Sequence, residues 1–118
     1  MFYVVSPPDE TEWCVERSTL VGLLERDWPG VVLEVGGDST RDVVWRLATP
    51  DGEFEGSQDR AGHAQYLSGP TTTLARYAHW WRQQVPADQA LVLYDESYST
   101  VIPLDPGLSE ADLSAQLG

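Results

Sequence analysis

Few side chains in this sequence have the chemistry to act on a substrate. There are two histidines, His63 and His79, one thiol, Cys14, and an early serine, Ser6. No HExxH helix and no Cys/His cluster accompanies the histidines, so their spacing builds no zinc site, and neither metal nor cofactor is expected. Cys14 with His63, or Ser6 with His79, would pair a nucleophile with a base, yet neither stands in a GxSxG elbow or a catalytic-cysteine signature. Cys14 beside Trp13 reads as core. His79 borders an apolar helical stripe and His63 follows Gly62, so both read as surface or boundary positions. Gly36-Gly37 precede Asp38-Ser39-Thr40 without the later glycine and lysine of a phosphate loop, which leaves a hairpin turn.

Carboxylates are plentiful, and paired carboxylates are the tools of glycoside hydrolysis. The candidate pairs are Glu53 with Glu55 and Asp95 with Glu96. The first pair shares a solvent face, and the second diverges from a turn. With nineteen acids in the chain some pairs arise by chance. No visible surroundings would split their pKa values into an acid and a base. The chain is therefore read as no enzyme, with a small carboxylate-dependent hydrolase kept as an alternative.

Charge is more informative. Seven basic residues, all Arg, stand against nineteen acids, for a net charge of −12. Phosphate backbones and anionic membrane surfaces would repel such a chain, so direct nucleic-acid and membrane partners are not expected. Residues 1–16 carry four acids and no base, and residues 86–118 carry six acids and no base. If the terminal strands are neighbours, these acids would merge into one negative surface that steers a basic partner. Tyr94-Asp95-Glu96-Ser97-Tyr98 sets two tyrosines around a carboxylate turn, and Tyr is a favoured interface anchor. Trp80 and Trp81 are helical neighbours and cannot both point inward. Trp80, Tyr94, Asp95, Glu96 and Tyr98 are the candidate partner-binding residues.

The elements that must position them follow from periodicity. At 118 residues the chain is one domain's worth, spanning 1–118. Residues 2–6 read as a strand stopped by Pro7-Pro8. Ser18 is placed to cap a helix carrying Leu20, Val21, Leu24 and Trp28, which ends at Pro29-Gly30. The run 31–35 pairs with Val43-Val44-Trp45-Arg46-Leu47 across Gly36-Gly37-Asp38, and Asp51-Gly52 turns into a third strand with Phe54 inward. Residues 57–68 are hard to read, with a short strand at 64–67. Leu74, Tyr77, Ala78, Trp81 and Val85 mark the clearest helix, from Pro70 to Pro86. Residues 90–94 and 98–104 read as strands around Asp95-Glu96-Ser97, and 109–117 as a short helix. The expectation is an α+β fold, a mainly antiparallel sheet of about five to six strands with two main helices on one face, in the order β-α-β-β-β-(β)-α-β-β-α.

The succession Ala75-Arg76-Tyr77-Ala78-His79-Trp80-Trp81-Arg82, Val85-Pro86, Leu91-Val92-Leu93-Tyr94-Asp95-Glu96-Ser97-Tyr98 and Val101-Ile102-Pro103-Leu104 resembles small acidic proteins encoded beside bacterial polymorphic toxins, their immunity proteins. Trp28-Pro29, Trp45 and Pro50-Asp51-Gly52 are compatible with that pattern. The resemblance implies a non-enzymatic inhibitor of a cognate toxin domain, often a basic nuclease, acting by occlusion and made in the cytoplasm. It carries over no binding residue. A structural or assembly subunit of a secretion apparatus is the remaining alternative, and the oligomeric state is left open.

Overall fold

Alternation between buried and exposed positions decides which segments become strands, and a stripe of period 3.6 decides the main helix. The computed structural model describes residues 2–37 and 40–117. Asp38 and Ser39, on which the expected hairpin turn and the missing phosphate loop both drew, lie outside the described residues. The described chain runs β1 (Tyr3–Ser6), α1 (Arg17–Asp27), β2 (Val32–Val35), β3 (Arg41–Thr49), β4 (Gly52–Asp59), β5 (Gln65–Ser68), α2 (Thr71–Gln84), β6 (Val92–Asp95), β7 (Val101–Pro103) and α3 (Glu110–Leu117). The class is α+β and the element order is the expected one. The expectation of five to six strands and two main helices undercounts: among the described residues there are seven strands and three helices. The expected order already holds seven strands once its bracketed one, β5, is counted, so the undercount lies in the tally, and α3 is the third helix.

All seven strands form one antiparallel sheet in the order β2-β3-β4-β5-β1-β6-β7. Since β5 and β6 both run antiparallel to β1, they are parallel to each other, and α2 is the crossover between them. One face of the sheet is packed by helices. Val43 and Trp45 of β3, Phe54 of β4, Leu67 of β5, Val5 of β1 and Leu93 of β6 meet Leu20 and Leu24 of α1 and Leu74, Tyr77, Ala78 and Trp81 of α2 in one core. Tyr77 sits at its aromatic centre, with ring centroids 5.3 Å from Phe54, 5.5 Å from Trp28 and 5.8 Å from Trp45. α3 packs on α2 and adds Leu113.

Many buried polar groups are tied together, with Trp28 Nε1, Trp45 Nε1 and Arg82 Nε as exceptions among the described residues. The Tyr77 hydroxyl donates to Gln65 Oε1 at 2.8 Å, Gln65 Nε2 donates to Gln58 Oε1 at 3.1 Å, and Gln58 Nε2 donates to the Val15 carbonyl at 3.2 Å. Burial pushes the Tyr77 hydroxyl well above the usual tyrosine range. Arg82, buried at the end of α2, donates to the carbonyl oxygens of Val85, Pro86, Gln89 and Leu104, so one guanidinium binds the helix end to the segments on either side of β6 and β7. Nothing in the sequence distinguishes it from the exposed arginines except its place on the buried side of α2.

Three local expectations are corrected. Ser18 does not cap α1: the N-cap position is Glu16, without a side-chain cap, and the start is held instead by Arg17, whose guanidinium grips Asp42 on β3. Cys14 is exposed, not core. The segment before α1 is extended and alternates, so Trp13 and Val15 turn inward and Cys14 between them turns out, with the Val15 N–H donating to the Gly62 carbonyl at 3.0 Å. The last strand does not begin at residue 98: Tyr98 stands in the turn before β7.

Candidate functional site

The sheet face turned away from the helices is open, and strand register organises it. Glu34, Val44, Ser57, Tyr66, Val4, Tyr94 and Val101 are successive cross-strand partners, forming a single row that spans all seven strands. The half of this row on β5, β1, β6 and β7 is aromatic and aliphatic. Val4 is only 4% exposed although it stands outside the helix-covered core, because the side chains beside it on this face shield it. Exposed Phe2 extends the patch, edge-on to Tyr66 with centroids 6.2 Å apart. The other half is charged: the Arg41 guanidinium lies 3.8 Å over the Tyr66 ring, and Arg46 stands 3.6 Å from Glu55. A shallow groove of about 230 Å³ runs beside Tyr66, lined by Phe2, Arg41, Glu55, Ser57 and Ser68 among others.

Beyond β6 the chain turns sharply, and Tyr98 stacks on Tyr94 with centroids 5.0 Å apart and planes 8° from parallel. Tyr98 is 68% exposed and has φ +58°. A bulky residue rarely adopts this left-handed region. Asp95 builds the turn that holds it there: its carboxylate accepts the Ser99 N–H at 2.8 Å, the Thr100 N–H at 3.3 Å and the hydroxyls of Ser97 and Ser99. These bonds, the Ser99 hydroxyl first, hold the Asp95 carboxyl below its usual range. Asp95 is therefore not the exposed docking charge that the sequence suggests. It is 2% exposed and engaged within its own turn. Glu96 is the exposed carboxylate, with Oε1 3.2 Å from the Phe2 amide N–H that it accepts.

Of the five candidate residues, the structure brings Tyr94, Glu96 and Tyr98 together, sets Asp95 beneath them, and separates Trp80. Trp80 lies half-buried on the helix side, its Nε1 donating to Asp27 at 2.8 Å and its ring 5.3 Å from Tyr77. Arg26 and the Trp80 N–H hold the Asp27 carboxyl down at about 2. Phe2, Tyr66 and Val101 complete the patch and were missed. Their signal, a shared register across strands far apart in sequence, exists only once pairing is known.

The acids merge only in part: Asp88 and Asp105 line a cleft with Pro8 at the end of the sheet where the acidic loop after β1 leaves, and Thr11 of that loop donates to Gln89 at 2.9 Å, whereas Asp95 and Glu96 stand at the other end. The first strand neighbours β6 and not the last strand β7, and antiparallel pairing sets Tyr3 opposite Asp95 and Ser6 opposite Val92. The acidic loop after β1 therefore leaves from the opposite end of the sheet to Glu96. There, Asp9, Glu10 and Glu12 line a cleft of about 590 Å³ with Ser6, Thr11 and His63. This cleft is larger than the groove by Tyr66 but has no buried apolar anchor. Among the described residues, no three His, Cys, Asp or Glu side chains converge to hold a metal ion, and no helix is long and apolar enough to cross a membrane.

No family model, curated protein or solved structure matches the chain. Function must be read from the geometry alone, and the charges narrow it. Each of the seven arginines has an interaction within the chain: Arg17 and Arg60 with Asp42, Arg26 with Asp27, Arg41 with Tyr66, Arg46 with Glu55, Arg76 with Trp28, and Arg82 with carbonyls. What the molecule offers a partner is aromatic surface and an excess of carboxylate, with the paired guanidiniums of Arg17, Arg26, Arg46 and Arg60 also about half exposed.

The turn makes its own prediction. Tyr98→Ala loses the ring stack, worth about 0.5–1.5 kcal/mol, and keeps the unfavourable backbone. Tyr98→Gly loses the same stack but relieves a left-handed penalty of about 1–2 kcal/mol. In denaturant melts the glycine variant should be about 1 kcal/mol more stable than the alanine variant.

Proposed function

We propose that this is a non-enzymatic immunity protein that binds a basic cognate toxin domain and inhibits it by covering its active site or substrate surface. The supporting observation is the aromatic half of the open sheet face, Phe2, Tyr66, Tyr94, Tyr98 and Val101, on a chain of net charge −12 whose arginines are internally engaged. The rings provide the anchors that become desolvated at an interface, and the acid excess selects and steers a cationic surface, such as that of a nuclease. The protein acts in the cytoplasm of the cell that makes the toxin.

The carboxylate-hydrolase alternative has less support. Glu53 and Glu55 face solvent from β4, and Glu55 is beside Arg46 rather than opposed to a second acid across a cleft.

Steering is tested at Glu96 alone, because reversing Asp95 would remove the acceptor on which the turn is built. Glu96→Arg changes the charge by +2, from −12 to −10. The association rate with the toxin domain encoded beside this chain should fall by about threefold or more at low ionic strength and recover in high salt, while the melting curve barely moves. An association rate indifferent to the reversal at low salt would move the docking surface to the acidic loop of Asp9, Glu10 and Glu12.

A further inference from the structure

We propose that β2 is the pairing edge of a homodimer, in which β2 of one copy joins β2 of a second, antiparallel and across a two-fold axis through Leu33. The proposal goes beyond the partner-binding reading and does not rest on it. A sheet that is not closed has two edges, here β2 and β7. Strand β7 is three residues long and ends on Pro103, which has no N–H to offer an added strand. Strand β2 has no such guard. The Gly36 N–H donates to the Asp42 carbonyl at 2.8 Å, which makes Val35 with Val43, and Leu33 with Trp45, the non-hydrogen-bonded pairs of the β2–β3 ladder. The N–H and C=O groups of Leu33 and Val35 therefore point away from β3, and no hydrogen bond from a described residue reaches them. The side chains around them are apolar and poorly covered: Val32 is 63% exposed, Val35 is 43% exposed, and Leu33 is half-buried.

Charge selects a second copy as the occupant. Residues 17–49, which build α1, β2 and β3, hold four Arg and five acids, a net of −1, and the rest of the chain holds three Arg and fourteen acids, a net of −11. Two copies meet at this end with the least repulsion, while a basic partner is drawn to the other elements. Register selects the axis. With Leu33 opposite Leu33 of the second copy, the two residues exchange reciprocal N–H to C=O bonds, and Glu34 of each copy falls opposite Val32 of the other on the open face. Shifted so that Leu33 meets Val35, the strands would set Glu34 against Glu34, a like-charge pair in the closest cross-strand position. The contact is isologous, and the two sheets become one. A four-residue strand makes a small interface, so the dimer is reversible. In the strand order β2 lies at the opposite end from β1, β6 and β7, so the pairing leaves the aromatic half of the open face free.

The test is sedimentation equilibrium of the full chain from about 5 to about 500 µM, with amide hydrogen exchange read residue by residue at both ends of that range. A monomer–dimer equilibrium is expected, with exchange at the Leu33 and Val35 amides slowed about fivefold or more at the high concentration. Val35→Pro removes an outward N–H without touching a bond to β3, and Val35→Lys charges the edge. Each should leave the melting curve in place and weaken dimerisation by about tenfold or more. A wild-type chain that stays monomeric across the range, a dimer whose Leu33 and Val35 amides exchange as fast as in the monomer, or dimerisation unchanged in whichever of the two variants folds would each overturn the proposal. Slowed exchange confined to Phe2, Tyr66 and Tyr94 would do the same, by placing the self-contact on the aromatic face.

Discussion

Gly56→Ala should destabilise the protein by about 3 kcal/mol, although it adds one methyl group to a strand. Gly56 on β4 stands directly opposite Trp45 on β3 in register. A Cβ at Gly56 would lie 2.2 Å from Trp45 Nε1, 2.3 Å from Cε2 and 2.5 Å from Cζ2. The indole rests on the bare glycine backbone and cannot move aside freely, being buried and stacked at 23° on Tyr77. The methyl must therefore displace the ring that fills the centre of the core. Glycine inside a strand often marks a close approach, and here the approaching group is this indole. Chemical denaturation measures the loss, and a cycle assigns its cause: in a Trp45→Leu background the same substitution should cost far less. An equal cost in both backgrounds would mean that the strain is backbone in origin.

Trp81→Ala should cost about 3–5 kcal/mol. Trp81 is buried on the inner face of α2 within the same core as Leu74, Ala78 and Leu113. Removing an indole there leaves a cavity between a helix and a sheet already fixed by Tyr77 and Arg82, so the walls have little freedom to close. Trp80→Ala should cost less, since that ring is only half-buried and its indole N–H is satisfied by Asp27 at the boundary. A loss below about 1 kcal/mol at Trp81 in denaturant melts would contradict the assigned helix face.

How far the sequence could be read followed the range of the interactions involved. The helix over 71–84 was legible because its stripe is local, and β3 and β4 were legible because Val43, Trp45 and Phe54 alternate with polar neighbours. The segment 57–68 was obscure because its strands are joined by a turn in which Asp59 accepts the His63 and Ala64 N–H groups and Gly62 takes φ +77°, a pattern with no apolar periodicity. At the site, the tyrosines and acids were visible as residue types, but adjacent carboxylates look alike in sequence. The clue that Asp95 folds back is the run of hydroxyl side chains after it, Ser97, Ser99 and Thr100, which favours an Asx-type turn. The open-face row was not visible at all, because Tyr66, Val4 and Tyr94 meet only through pairings across most of the chain's length.

The most direct measurement of the central claim takes the C-terminal domain of the neighbouring gene's product, assays it for toxin activity, and titrates that activity with the wild-type protein and with Tyr98→Gly, a variant expected to keep the fold. The account predicts stoichiometric inhibition by the wild type and a loss of affinity of about 30-fold or more for Tyr98→Gly, the effect of removing an interface anchor. Full inhibition by Tyr98→Gly at wild-type concentrations, or a toxin domain that neither binds the wild-type chain nor is inhibited by it, would contradict the account.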